Sequence, residues 1–378
     1  MRWCCCSGES MSASGFSLPE GLELDWAYAL GEPRCSGMIR RQPEDFIVEE
    51  QIGFSPDGEG NHAWLHIRKR NTNTEWLARE LATLADVPLK EIGYAGLKDR
   101  HALTSQYFTV HLSGKSEPDW HQLASDDITF LDIDRHGRKL KRGSLRENHF
   151  VLTLRKLQGE CGDLEQRLQR IAEEGVPNYF GEQRFGHDFG NLAMAAAMFR
   201  GEWRESIRHK RSLYLSAARS YLFNRVLSSR VADGSWNRAL PGESLMQEGS
   251  TSCFSVRLIG TEIAARVAAG QLHPTGPLWG RGRPISLGEA QALELALLEG
   301  ESLWKSGLEK AGLEQERRAL RLPVKKLQWQ WLDKATLQLD FSLPPGAYAT
   351  SVLREVANTT NASALRVEQE AAESEVVD

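Results

Sequence analysis

No stretch of this chain approaches the roughly 18 consecutive apolar residues that a membrane-spanning helix needs. Met1 to Phe16 lacks the apolar run of a secretory signal and is mostly small or polar, so residues 1–16 are expected to be a disordered extension. Cysteine is sparse and poorly spaced for chemistry. Cys4, Cys5 and Cys6 are contiguous, while Cys35, Cys161 and Cys253 stand alone, with no CxxC or Cys/His pairing. That pattern predicts neither a disulfide framework nor a metal site. Arg2 follows the initiator where myristoylation needs glycine. A P-loop, a dinucleotide G-x-G-x-x-G opening a helix and a G-x-S-x-G nucleophile elbow are all missing, so nucleotide, redox-cofactor and serine-hydrolase chemistries have no visible cradle. A cytoplasmic enzyme acting without metal or organic cofactor is the expectation.

What is present is an ordinary globular composition, 41% hydrophobic and 26% charged over 378 residues, enough chain for two cores. The net charge of −5 is unevenly spread. The segment Ala357–Asp378 sets five acidic residues against Arg366 alone and has no hydrophobic period. It reads as a disordered tail whose removal should be harmless. Asp134–Lys156, conversely, carries eight Lys/Arg against Asp134 and Glu147. A solvated strand–turn surface and a basic stripe for an RNA backbone both fit that charge.

Periodicity divides the chain. Phe46–Val48, Ala63–Arg68, Gln106–Leu112 and the stripe Phe150, Leu152, Leu154 read as strands. Thr72 with Glu75 predicts a capping box for a helix carrying Leu77, Leu81 and Leu84. The middle turns helical over 163–174, 191–200, 212–231, 289–298 and 303–318. Alternation then resumes: Leu327, Trp329, Trp331, a turn at Asp333–Ala335, and Leu337, Leu339, Phe341. A sheet pattern interrupted and then resumed predicts an α+β domain holding an insertion.

The chemistry concentrates in Gly93–Gln106. A short apolar run enters a glycine-relaxed turn, Gly96-Leu97-Lys98-Asp99, that ends in a carboxylate between two cations. Lys98 and Arg100 would favour a charged Asp99, which can serve as base or nucleophile. The same residues also suit a turn-capping aspartate, and physics alone leaves the two level.

Gly96–Asp99 followed by Ala102, Thr104 and Gln106 resembles the catalytic motif of the TruD pseudouridine synthases. Four further segments agree in order: Pro43–Glu50; Asn148-His149-Phe150 with Leu154-Arg155; Pro177–Gly186; and Pro344–Thr350 with Leu353–Glu355. The resemblance runs from about Arg40 to Arg354. It implies a catalytic domain with a mixed, largely antiparallel sheet over 17–173 and 323–356, interrupted by a family-specific α/β insertion over 174–322. It further implies action on tRNA, turning a uridine (uridine 13 in similar bacterial proteins) into pseudouridine; a monomer with no obligatory protein partner is the accompanying expectation. Asp99 would be the catalytic carboxylate. Phe150 would stack on the base, with Phe46 and Tyr348 at the wall and Asn148 pairing with base edge or backbone. Arg40, where the family often has lysine, would hold Asp99; Tyr348 stands where phenylalanine is frequent. A non-catalytic RNA binder on the same fold, and a hydrolase using Asp99 and His101, are the alternatives.

Overall fold

A computed structural model of the chain describes residues 15–112 and 114–363. In chain order the first elements are β1 (Cys35–Ile39), β2 (Phe46–Ile52), β3 (His62–Arg70), α1 (Thr74–Leu84) and β4 (Ile92–Tyr94). Next come β5 (Leu103–His111), β6 (Ile128–His136), β7 (Leu145–Gly159) and α2 (Leu164–Glu174). The middle holds β8 (Val176–Pro177), α3 (Gly190–Arg200), α4 (Arg208–Ala232), β9 (Ser244–Gln247), β10 (Cys253–Ser255) and α5 (Thr261–Ala268). It continues through β11 (Leu272–Leu278), α6 (Gly288–Leu297), α7 (Ser302–Lys310), β12 (Glu316–Ala319) and β13 (Arg321–Leu322). The last are β14 (Lys325–Asp333), β15 (Thr336–Leu343), α8 (Ala349–Val356) and β16 (Asn358–Asn361).

These elements form two compact units. One comprises residues 33–172, 324–349 and 356–363; the other comprises 15–32, 173–323 and 350–355. The first unit is built on a ten-stranded sheet with the path β14-β15-β7-β2-β5-β3-β6, to which β1, β16 and β4 attach. Its pairings are antiparallel except β2 with β5 and β1 with β16, so the fold is α+β with a mixed, largely antiparallel sheet. Register decides what the sheet offers. One row runs Phe341, Phe150, Val48, Thr104, Lys69, Ile128 across six strands, and side chains two residues away share its face. Phe46, Glu50, Asn148 and Gln106 therefore lie on the same side. The far end of that face is closed by α1, whose Leu77, Ala78 and Leu81 pack with Leu65, Ile67, Phe108 and Val110. Removing one such leucine side chain costs roughly 2–5 kcal/mol.

The helix itself starts one residue later than the Thr72 capping box predicts. Asn73 caps it, its Oδ1 accepting from Glu75 N and Trp76 N at 2.7 and 3.3 Å. Thr72 is committed to the preceding turn, donating to Arg70 O. The β14–β15 hairpin falls where the tryptophan alternation places it, with Asp333 Oδ1 accepting from Ala335 N in the turn.

The second unit packs α3 to α7 with a four-stranded antiparallel sheet, β10-β9-β11-β12. The helix expected over 303–318 stops at Lys310, because Gly312 takes φ 88° and the chain re-enters as β12. Three boundaries move, the first at residues 350–355, which were expected with the catalytic sheet and group with this unit. Residues 17–32, expected with the catalytic sheet, belong to this unit: Ala27 N donates to Ser228 Oγ, and Ala29 N and Leu30 N donate to Glu355. Phe16, assigned to the disordered extension, packs against Trp203; residues 1–14 of that extension lie outside the described residues.

Two expectations are overturned in the sheet unit. Residues 358–361 of the supposed tail form β16, parallel to β1 from Ser36 to Ile39, while 364–378 lie outside the described residues. The composition of the full segment hid a four-residue strand. Cys35 and Cys161, which stand alone in sequence, are joined in a disulfide across 126 positions. The pairing of β1 with β7 sets Cys35 opposite Gly159 and so delivers Cys161 beside it.

Candidate active site

The loop between β4 and β5 carries Asp99, and hydrogen bonds to a linked pair of side chains, Thr74 and Gln106, hold it on both sides of Leu97. Gln106 Nε2 donates to Gly96 O at 3.3 Å. Thr74 Oγ1 donates to Gln106 Oε1 at 2.9 Å and accepts from Lys98 N at 3.1 Å. Gln106 and Thr74 are buried, so these bonds are shielded from competing water. The backbone on both sides of Leu97 is thereby fixed, and the carboxylate follows.

Asp99 is met by Arg40. Arg40 Nη2 donates to Asp99 Oδ2 at 2.6 Å, from a side chain only 6% exposed against 36% for the aspartate. A charge-assisted bond that short fixes the direction of the carboxylate while leaving part of it accessible. Arg40 sits immediately after β1 with φ 55°, a left-handed conformation that costs an arginine roughly 1–2 kcal/mol. Strain is thus stored in the residue that aims the acid. The guanidinium also lies 3.9 Å from the centroid of the Phe46 ring. Phe46 meets Phe150 edge-on, at 6.4 Å and 82°, and Phe150 stacks on Phe341 at 5.5 Å and 21°. Asp99, Arg40, Phe46 and Phe150 thus form one continuous cluster.

Lys98 turns elsewhere. Its Nζ lies 3.0 Å from Glu50 Oε1 and donates to Asn148 Oδ1 at 2.5 Å. The counter-ion of Asp99 is therefore Arg40, 59 residues upstream in the chain, and not the lysine beside it in sequence. Because an ammonium only donates, Lys98 selects the orientation of the Asn148 amide and leaves the NH2 group facing away. Asn148 joins the cluster through Lys98. Tyr348 lies half-buried in the turn between β15 and α8.

Beside this cluster the sheet buries a lysine. Lys69 is 1% exposed, and its Nζ donates to Thr72 O at 2.6 Å. Burial pushes its pKa from 10.5 down to about 8, against the pull of the Asp99 carboxylate and with a further push from Lys98. Its cross-strand neighbour Thr104 is wholly buried, with an Oγ1 that finds no hydrogen-bond partner among the described residues.

The profile of a known family, tRNA pseudouridine synthase D (TruD), matches residues 25–210 and 207–356. The chain belongs to that family. A Methylococcus capsulatus protein named tRNA pseudouridine synthase D is 52% identical over 332 residues, 88% of this chain and 94% of its own length. One of the same name from Hydrogenovibrio crunogenus is 46% identical over 340 residues, 90% of this chain and 98% of its own. A crystal structure from Methanosarcina mazei, presented as a putative tRNA pseudouridine synthase D, superposes with TM-score 0.69 at 22% identity. It covers 89% of this chain and 96% of the other, and supports the shared fold. The TruD match embraces every residue of the cluster, from Arg40 to Phe150, and Tyr348 as well; β16 falls just beyond it.

Sequence reasoning missed Glu50 and Lys69. The signal was there: each is an ionisable residue on the inward phase of an otherwise apolar alternation, Phe46-Val48-Glu50 and Leu65-Ile67-Lys69. Such residues are rarely buried unless paired or in use.

Proposed function

We propose that this chain isomerises a uridine of tRNA, uridine 13, to pseudouridine in the cytoplasm, alone and without metal or organic cofactor. The observation that supports this best is the partly exposed Asp99 carboxylate, aimed by a buried arginine beside an aromatic cluster, in a chain of the TruD family.

The uridine must leave its stack before its ring can turn, so the nucleotide is flipped toward Asp99. The N1–C1′ bond breaks, the uracil rotates, and C5 bonds to C1′. The C5 proton departs and N1 regains one, so the product is an isomer of the substrate. Asp99 acts at the sugar, either by adding covalently or by assisting loss and recapture of the C1′ substituent. Arg40 keeps the carboxylate aimed throughout. Phe150, with Phe46 and Tyr348, supplies the wall against which the detached ring turns; aromatic–base stacking is worth roughly 1–3 kcal/mol. The NH2 of Asn148, freed by the Lys98 bond to its carbonyl oxygen, donates to a uracil carbonyl or a phosphate.

The test is Asp99→Asn assayed by tritium release from 5-tritiated uridine in tRNA, with tRNA binding measured alongside. Binding should persist while turnover falls below about 1% of wild type. Residual turnover above that level removes Asp99 from its role. Wild-type binding with no tritium release would instead favour the non-catalytic RNA binder.

A further inference from the structure

A groove of about 610 Å³ opens between α1 and the segment joining β6 to β7, with Ile92, Gly93 and Tyr94 of β4 among its lining. Arg79, Lys139, Lys141 and Arg142 line it against a single carboxylate, Glu75. Among the described residues the side chains of Arg79 and Lys141 make no ion pair or hydrogen bond, Lys139 donates to Lys90 O, and the Arg142 guanidinium lies 5.8 Å from the Tyr94 ring centroid. Four cations converging on one concave, solvated surface repel one another, and an anion relieves that repulsion. The half-buried Tyr94 adds a ring beside the charges, the combination by which single-stranded nucleic acid is gripped.

The groove is built rather than left loose. Leu140 N donates to Thr109 Oγ1 at 2.9 Å, so the basic segment is fixed to β5. Only glycine fits at 93, since a Cβ there would come within 2.4 Å of Thr109 Oγ1 and 2.5 Å of Leu140 O. Both walls are also bonded to the loop that carries Asp99. Gly143 N, just past the basic residues, donates to Ala95 O at 2.8 Å. Thr74, at the start of α1, accepts from Lys98 N. Whatever fills the groove therefore touches the two segments that hold the catalytic loop.

We propose that this groove is an RNA-contact surface in which Arg79, Lys141 and Arg142 take backbone phosphates of the substrate strand running on from the nucleotide at Asp99. The proposal rests on the tRNA reading above and adds to it where the strand lies. Phosphate contacts of this kind set register and affinity and carry no base specificity of their own.

The decisive variant is Lys141→Ala/Arg142→Ala, compared with the charge-preserving Lys141→Arg/Arg142→Lys. Filter binding to tRNA over a salt series and single-turnover isomerisation are measured on both, with thermal melts to confirm folding. The alanine pair should raise Kd about tenfold near 0.1 M salt and flatten the log Kd–log salt slope by about 0.7 for each phosphate it no longer neutralises. Its rate at saturating tRNA should fall no more than about threefold, and the charge-preserving pair should recover most of the affinity. Unchanged Kd and slope overturn the groove, as does a large fall in saturating rate at unchanged Kd. If wild type itself forms no pseudouridine in tRNA, the functional reading fails and takes the groove with it; wild-type turnover with an unaffected alanine pair sinks the groove alone.

Discussion

Replacing Lys69 with methionine should make the protein more stable and less active. The amine is enclosed by the sheet and, among the described residues, has one hydrogen-bond partner, Thr72 O. A fall in pKa from 10.5 to about 8 corresponds to roughly 3 kcal/mol spent keeping the ammonium charged in the folded state. Methionine fills similar volume without that cost but forfeits the hydrogen bond, worth about 1 kcal/mol and more if Thr72 O is left dry. The net expectation at pH 7 is a gain of about 1–2 kcal/mol. Its pH dependence carries a fixed sign. Between about pH 8 and 10.5 the unfolded chain holds the proton that the folded protein has released, so wild-type stability rises with pH across that window. The advantage of Lys69→Met is therefore full below about pH 8 and shrinks toward pH 10.5. Urea unfolding at about pH 7 and pH 9.5 measures both points. A variant less stable than wild type at the lower pH, or a gap that ignores pH, refutes the burial argument. Turnover should fall at least about tenfold, because the Asp99 carboxylate keeps Arg40 but loses the second, buried positive charge that acts on it.

Truncation after Ala357 removes β16 from β1 and should lower the melting midpoint by about 5 °C, on a loss of roughly 2 kcal/mol, and reduce turnover through Arg40; truncation after Ser363 keeps the strand and should do neither. Reducing Cys35–Cys161 releases a 126-residue loop, for which chain entropy allows up to about 5 kcal/mol, so dithiothreitol should lower the urea midpoint of wild type and leave Cys161→Ser unchanged. On His149, burial lowers the pKa, but the hydrogen bond and charge of Asp340, with Glu49 behind them, raise it overall above 6.5. Stability from that contact should be full below pH 6.5 and lost as pH rises through the raised value, a dependence absent from His149→Gln.

The β14–β15 hairpin and the Gly96–Asp99 loop were legible because local spacing writes them: alternating tryptophans, and a glycine turn ending in an acid. The partner of Asp99 was readable only through family resemblance, since nothing near Arg40 in the sequence says where β1 ends up. The disulfide and β16 were not legible at all. Both depend on where β1 lies in the sheet, beside β7 on one edge and β16 on the other, and neither distant pairing is announced by the strands that make it. Glu50 and Lys69 were visible as polar breaks in apolar alternation, but solvent exposure explains such breaks equally well until register assigns the face.

The sheet also has a direction in time. β1 ends next to Arg40, yet it pairs with β16, made more than 300 residues later, and β7 pairs with β15, made nearly 200 residues later. A ribosome extending this chain cannot close the sheet when Asp99 emerges, because the strands that flank Arg40 and Phe150 do not yet exist. Non-local pairings of that kind fold slowly and leave unpaired edges exposed in the interval. Catalytic competence is thus deferred until β15 and β16 have been made, and nascent chains halted before residue 336 would carry the whole Gly93–Gln106 motif and remain inert.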